Sequence, residues 1–218
     1  MLPVSLTRYN NFVYIIPVVI AVVIGYFVYQ YWKYKASDDG APYVAMDQEL
    51  VATILQTAAV NETDIVYDLG SGDGRIPITT ALLFHARAVG IEIDKLRYLY
   101  SQYKRFILRL GDKVTFLNKN IFEVNLSEAT VVVMYLLQET NEALTEKLLT
   151  ELKPGTIIIS GAFNFPDWQP IFVDRDHKTP FGPIYYYQIP GTEQIIQTPQ
   201  TTSPTQQTPV QPAPTPTK

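Results

Sequence analysis

The sequence predicts an α/β fold: an open sheet, mostly parallel, finished by an antiparallel hairpin and preceded by one transmembrane helix. Three observations predict it. Between residues 42 and 190, apolar β-branched runs of strand length alternate with amphipathic helical stretches, the pattern of a parallel sheet covered on both faces. The last two runs, in "PIFVDRDHKTPFGPIYYYQIP" (170–190), have only a turn between them, which makes a hairpin. At the other end, "FVYIIPVVIAVVIGYFVYQYW" (12–32) carries no charge. As a helix at about 1.5 Å per residue it spans roughly 30 Å, the thickness of a bilayer core.

Residues 1–11 form a short leading segment, and 12–32 read as the membrane anchor. Tyr29, Tyr31 and Trp32 stand where an aromatic belt belongs, with Lys33 and Lys35 just beyond. A signal peptide has a shorter apolar region and ends on small residues, whereas this run ends on bulky ones. After a linker (33–41), the domain proper covers 42–190. Asp47 can cap a helix reaching about Ala59, with Leu50, Val51, Ile54, Leu55 and Ala58 on one face. "DIVYDL" (64–69) is a strand, and a helix starts near Gly74 with Pro77 in its first turn. "AVGIEI" (88–93) is the second strand, followed by a helix from Asp94 to Leu110 that stops at Gly111. "VTFLN" (114–118) and "TVVVMYL" (130–136) continue the strands, and a helix covers about Asn141 to Leu152. "TIIISGAF" (156–163) precedes the hairpin, which turns around Thr179 to Pro183. The remainder, 191–218, is rich in Thr, Pro and Gln and reads as a disordered tail.

Composition narrows the chemistry. The chain has no cysteine and only two histidines, His85 and His177, both read as surface positions. Disulfides, thiolate nucleophiles, zinc and iron–sulfur ligation therefore drop out, and no metal is expected. A net charge of −4 argues against a nucleic-acid partner. What remains is the stretch "VYDLGSGDGRI" (66–76), a glycine-rich turn directly after the first strand. In open α/β sheets ligands sit beyond the carboxyl ends of the strands. A dinucleotide turn would read G-x-G-x-x-G; this one reads G-x-G-x-G and carries Asp68 and Asp73. Those acids would repel a pyrophosphate but suit a cation. S-adenosylmethionine carries a sulfonium and an ammonium and no phosphate. Glu92 ends the second strand, where an acid can hold both ribose hydroxyls, and Asn120 follows the third strand, within reach of an adenine edge. Singly, Asp68 also fits a turn cap and Glu92 a solvated strand end; the set on three successive strands favours S-adenosylmethionine.

"VYDLGSGDGRI" with "GIEID" downstream resembles the Rossmann-like class I S-adenosylmethionine-dependent methyltransferases. More narrowly, "PYV" (42–44), "DIVYDLGSGDGRI" (64–76), "AVGIEID" (88–94), "IFEVNLSEATVVVMYLL" (121–137) and "LKPGTIIIS" (152–160) are similar to one protein-lysine methyltransferase family. That family includes small archaeal enzymes and the mitochondrial enzymes acting on the adenine nucleotide translocase and the ATP synthase c-subunit. The candidate cofactor contacts are then Asp68, Gly70, Ser71, Gly72, Asp73, Gly74, Glu92 with Ile93, Asn120 with Ile121, and Tyr43, which resembles the family's lid tyrosine. The family tends to continue "PYV" with Pro and Thr; this chain has Ala45, Met46 and Asp47 instead.

Methyl transfer from a sulfonium needs an aligned nucleophile and little else, so no strong general base is required. The loop after the fourth strand, Met134 to Gln138, lacks the Asn/Asp-Pro-Pro-aromatic tetrapeptide of amino-methylating nucleic-acid enzymes. Tyr135 in that loop and Tyr43 are the candidate catalytic residues, with Phe163 and Trp168 as further channel candidates. Lys104, Arg105 and Arg109 read as a solvated helix face. The expectation is a single-pass membrane enzyme with a cytoplasmic catalytic domain, methylating lysine side chains of proteins at or near the membrane. A small-molecule or lipid (quinone-like) methyltransferase is the alternative, and a non-catalytic cofactor-binding scaffold the third.

Overall fold

The computed structural model describes residues 16–27 and 43–191. In chain order, α1 (16–27) is followed by α2 (Gln48–Thr57), β1 (Ile65–Leu69), α3 (Arg75–Leu83), β2 (Arg87–Ile91) and α4 (Lys95–Ile107). Then come β3 (Val114–Leu117), β4 (Val131–Met134), α5 (Gln138–Glu151), β5 (Ile157–Gly161), β6 (Phe172–Thr179) and β7 (Gly182–Gln188). Among the described residues the strands form one seven-stranded sheet in the order β3-β2-β1-β4-β5-β7-β6. The first five are parallel, whereas β7 runs antiparallel to both β5 and β6. This is the open, mostly parallel sheet with a terminal hairpin that the sequence predicts.

Strand alternation sends side chains to two cores. Val66, Val133 and Ile159 meet Val51, Ile54 and Leu55 of α2 on one face. Leu69, Met134 and Ile158 meet Leu144 and Leu148 of α5 on the other. Covering both faces makes the strands near-continuous apolar runs. Chain order reverses between β1 and β4, which opens a crevice at the carboxyl ends of those strands.

Several boundaries move. β2 ends at Ile91, so Glu92 and Ile93 stand beyond the strand. α5 begins at Gln138 rather than Asn141, its first turn closed by Asn141 N–H donating to the Leu137 carbonyl (3.0 Å). Leu137 offers no capping side chain, so the sequence has no start signal there. α4 ends at Ile107, not Leu110: Arg109 takes the left-handed conformation (φ 54°) and unwinds the helix two residues before Gly111.

The expected single-pass membrane placement, with a cytoplasmic domain behind it, is not upheld. No helix among the described residues is long and apolar enough to cross a membrane. Of the expected anchor, the described residues 16–27 are helical. Residues 12–15 and 28–32 of that run, the segments 1–11 and 33–41, Pro42 and the expected tail from 192 onward lie outside the described residues.

Gly90 in β2 pairs with Asp68 of β1 and Phe116 of β3, at the foot of the crevice. A Cβ there would stand 2.7 Å from two atoms of the Phe116 ring and 2.8 Å from Ser71 Oγ. Gly90→Ala is therefore expected to destabilise the fold by about 1–3 kcal/mol through overpacking, read from urea unfolding midpoints. Adding Phe116→Leu should recover part of that loss.

Candidate functional site

The turn after β1 is held by backbone bonds before any side chain acts. Gly70 and Ser71 N–H both donate to the Ile91 carbonyl (2.9 and 2.8 Å), and Gly74 N–H donates to the Ser71 carbonyl (2.8 Å). Gly72 has φ +55°, and a Cβ on it would enter the ring of Tyr43. Both facts require glycine there. The Gly72 N–H donates to Glu92 Oε2 (2.8 Å) and its carbonyl accepts from Ser101 Oγ (3.1 Å), so one residue ties β1, β2 and α4 together.

A cavity of about 320 Å³ opens beyond the strand ends, a size suited to a small cofactor. Of the expected cofactor residues, Tyr43, Asp68, Gly70, Ser71, Asp73, Glu92, Ile93, Asn120 and Ile121 line it. Gly72 and Gly74 are packing positions behind the wall: Gly72 lies under Tyr43, and a Cβ on Gly74 would stand 2.5 Å from Phe116. Tyr135 also lines the cavity. Phe163 and Trp168 do not belong to its wall; Trp168 stacks on Phe165 at 4.5 Å, and the Phe163 carbonyl accepts from Ser160 Oγ (2.6 Å).

The acids of the site have opposite surroundings. Asp68 is buried, and its Oδ2 finds no hydrogen-bond partner among the described residues. Burial first, and then the neighbouring Glu92 and Asp73 carboxylates, hold its pKa well above the usual carboxylate range. Asp73 is instead bracketed by cations. Arg75 Nε donates to its Oδ1 (2.9 Å), Arg75 Nη2 to its Oδ2 (3.1 Å), and Lys104 Nζ to its carbonyl (2.8 Å) and Oδ2 (3.2 Å). Burial pushes Asp73 up, but the bonds from Arg75 and the charge of Lys104 outweigh it and leave the pKa lowered. Asp73 is thus a clamp for the turn and not a free charge for a ligand, and Lys104 is part of that clamp, not of a solvated face. Glu92 sits beyond β2 and turns back to the bend, its Oε1 accepting from Asp94 N–H (2.7 Å). Each of its oxygens keeps a second lone pair.

Two residues form the roof. Arg75 reaches from α3 to the Met46 carbonyl, fixing the segment before α2 through backbone. Arg97 of α4 lies 4.7 Å over the Tyr43 ring and 3.9 Å from Glu92 Oε1. Val44, Ala45 and Met46 line the wall, so the stretch that departs from the family's Pro and Thr still shapes the cavity. Asn120 caps its own turn, accepting from Phe122 N–H (3.1 Å). The Tyr135 hydroxyl is buried without a partner among the described residues, as is Ser71 Oγ.

Sequence reasoning missed Arg75, Arg97, Ser101 and Lys104. The one available signal was Asp73-Gly74-Arg75, an acid and a base two apart in a turn; the α4 residues reach the loop across 29 to 31 positions of chain. His85 is exposed at the end of α3, and His177 pairs its Nδ1 with Asp174 Oδ2 (3.0 Å) on β6. No group of acids and histidines placed to hold a metal ion occurs among the described residues.

The chain matches the family described as the ANTKMT methyltransferase domain over residues 68–172. It is 44% identical to a protein-lysine N-methyltransferase of Saccharolobus islandicus over 130 residues, covering 59% of this chain and 81% of that protein. An ATP synthase c-subunit lysine N-methyltransferase of Xenopus laevis is 32% identical over 59% of this chain, which spans 56% of the frog protein. Among solved structures, an RNA methyltransferase from Salinibacter ruber in complex with S-adenosyl-L-homocysteine superposes with a TM-score of 0.64. That pair is 38% identical and covers 67% of this chain and 94% of the other.

Removing the unpaired buried charge should stabilise the fold. Asp68→Asn is expected to raise unfolding stability at pH 7 by about 1–3 kcal/mol. The folded carboxyl binds its proton more tightly than the unfolded one, so wild-type stability falls as pH rises from the unfolded value through the raised one. The advantage of the variant should therefore vanish on acidification, checked by thermal melts between pH 4 and 8.

Proposed function

The chain belongs to the S-adenosylmethionine-dependent protein-lysine N-methyltransferase family, and we propose from that premise which of its residues hold the cofactor and which receive the lysine. The observation that carries the reading is the unpaired buried Asp68 carboxylate in a cavity of cofactor size. A buried carboxylate without a partner is costly unless a ligand supplies a donor, and the ammonium of S-adenosylmethionine is such a donor. When bound, that group supplies an already activated methyl.

The chain's own residues do the rest. Glu92 accepts ribose hydroxyls with the lone pairs its backbone bonds leave free. Ile93 and Ile121 give apolar walls for a flat base, and Asn120 stands at its edge. Ser71, which lines the same cavity as Asp68, offers its unpaired hydroxyl. Tyr43, packed on Gly72 and held by Arg97, closes the roof and excludes water. Tyr135 receives the acceptor: its buried, unpaired hydroxyl accepts from the lysine amine and orients the nitrogen lone pair toward the methyl carbon. The neutral amine would take up the methyl that a bound cofactor supplies and release one proton to solvent. The lysine must arrive neutral, which at pH 7 costs about 4.6 kcal/mol from a pKa near 10.4. An apolar entrance reduces that cost, and no side chain is needed as a strong base.

The description of the Salinibacter structure raises one competing acceptor, RNA. With 21 acidic against 17 basic residues, this chain lacks the cationic excess that phosphate binding uses.

Label transfer decides the acceptor. With methyl-labelled cofactor and a cell extract, label is expected in material that protease releases as methyl-lysine; label released only by ribonuclease would refute the protein reading. Tyr135→Phe should lower kcat/KM for the protein acceptor about tenfold, the equivalent of one hydrogen bond. Its affinity for S-adenosylhomocysteine, measured by calorimetry, should stay within about twofold. Because protonated Asp68 cannot pair with an ammonium, cofactor affinity is expected to weaken as pH falls through the raised Asp68 pKa.

A further inference from the structure

Helix α4 is amphipathic the wrong way round. A surface helix ordinarily turns its apolar stripe inward. Here the inward face is mostly polar: Ser101 is fully buried and bonded to Gly72, Arg97 reaches Tyr43 and Glu92, and Lys104 reaches Asp73, with Tyr98 packing beside them against the core around Phe116. The outward face carries Leu99, Tyr100, Tyr103, Phe106 and Ile107. Phe106 is 81% exposed and the other four are 50–58% exposed. A contiguous exposed apolar stripe of this kind marks an interaction surface.

The spacing of the stripe says what covers it. Around Tyr103, the apolar residues fall at −4, −3, 0, +3 and +4, so the stripe reads the same from either end. A two-fold axis through Tyr103 would set Leu99 against the partner copy's Ile107 and Tyr100 against its Phe106, with Tyr103 meeting itself. An isologous interface requires that self-complementarity. With about 200 Å² per large side chain, the exposed fractions amount to roughly 600 Å² per copy before any rim, against about 800 Å² in a standard interface.

We propose that a second copy of this chain packs antiparallel across α4, making a symmetric dimer centred on Tyr103. The pocket-facing side of α4 stays committed to the turn, so each active site remains whole within its own chain.

The chain contains no cysteine, so Tyr103→Cys introduces a single thiol on the proposed axis. On mild oxidation of the full-length variant, disulfide-linked dimer is expected at least tenfold faster than for Thr150→Cys, an exposed position on α5. Light scattering of the unaltered full chain at tens of micromolar should give twice the chain mass, and Phe106→Asp should return it to one. Cross-linking of Tyr103→Cys no faster than the α5 control would overturn the proposal. So would a mass that Phe106→Asp leaves unchanged, which would place association on another surface such as α1. A chain that stays monomeric until an acceptor protein or anionic vesicles are added would equally refute it.

Discussion

The hydrogen bond from Gly72 N–H to the Glu92 carboxylate is the constraint on which the rest of the site depends. It joins the tip of the first turn to the end of the neighbouring strand. It adds to the backbone bonds from Gly70 and Ser71 to the Ile91 carbonyl, ties that a glycine-rich bend needs because it has more conformational freedom to lose than other segments. Ser101 and Lys104 grip the opposite side of the bend, at Gly72 and Asp73. The result is a rigid rim around a carboxylate, Asp68, that the fold leaves unpaired. Order at the rim and frustration at its centre are complementary: the rim keeps the surroundings from collapsing onto the charge, and the charge keeps the centre waiting for a cation.

Two acids five residues apart show how little an identity says without its neighbours. Asp68 has low-dielectric surroundings and other acids, and its proton is held tightly. Asp73 has Arg75 and Lys104, and its proton is held loosely. Stability and function pull in opposite directions at the first and together at the second. Active sites commonly carry local costs of this kind, offset by the packing around them.

Much of this was legible beforehand, for physical reasons. The alternation of β-branched runs and helices specifies a covered parallel sheet, and the turn "GSGDG" marks where the crevice lies. Asp68, Glu92 and Asn120 were visible because they sit at strand ends, where chain position and spatial position coincide. Arg97, Ser101 and Lys104 were not, because their function depends on how α4 rotates about its own axis, and that helix reverses the rule by which rotation is read from sequence. Phe163 and Trp168 are aromatic residues after β5, a pattern that a channel and a core share; packing against Phe165 and Tyr187 decides for the core in the case of Trp168. The charge-free run near the N-terminus suggests a span by composition, but no helix among the described residues is long and apolar enough to cross a membrane.

The two rims of the sheet limit how the molecule can grow. One border strand, β3, is only four residues long. The other, β6, carries Asp174, Arg175, Asp176, His177 and Lys178 in succession, and its register with β7 slips between Asp174 and Thr179. Short or charged, irregular borders offer no template for an added strand. Among the described residues, an extended peptide therefore finds no long, regular edge on this sheet to extend.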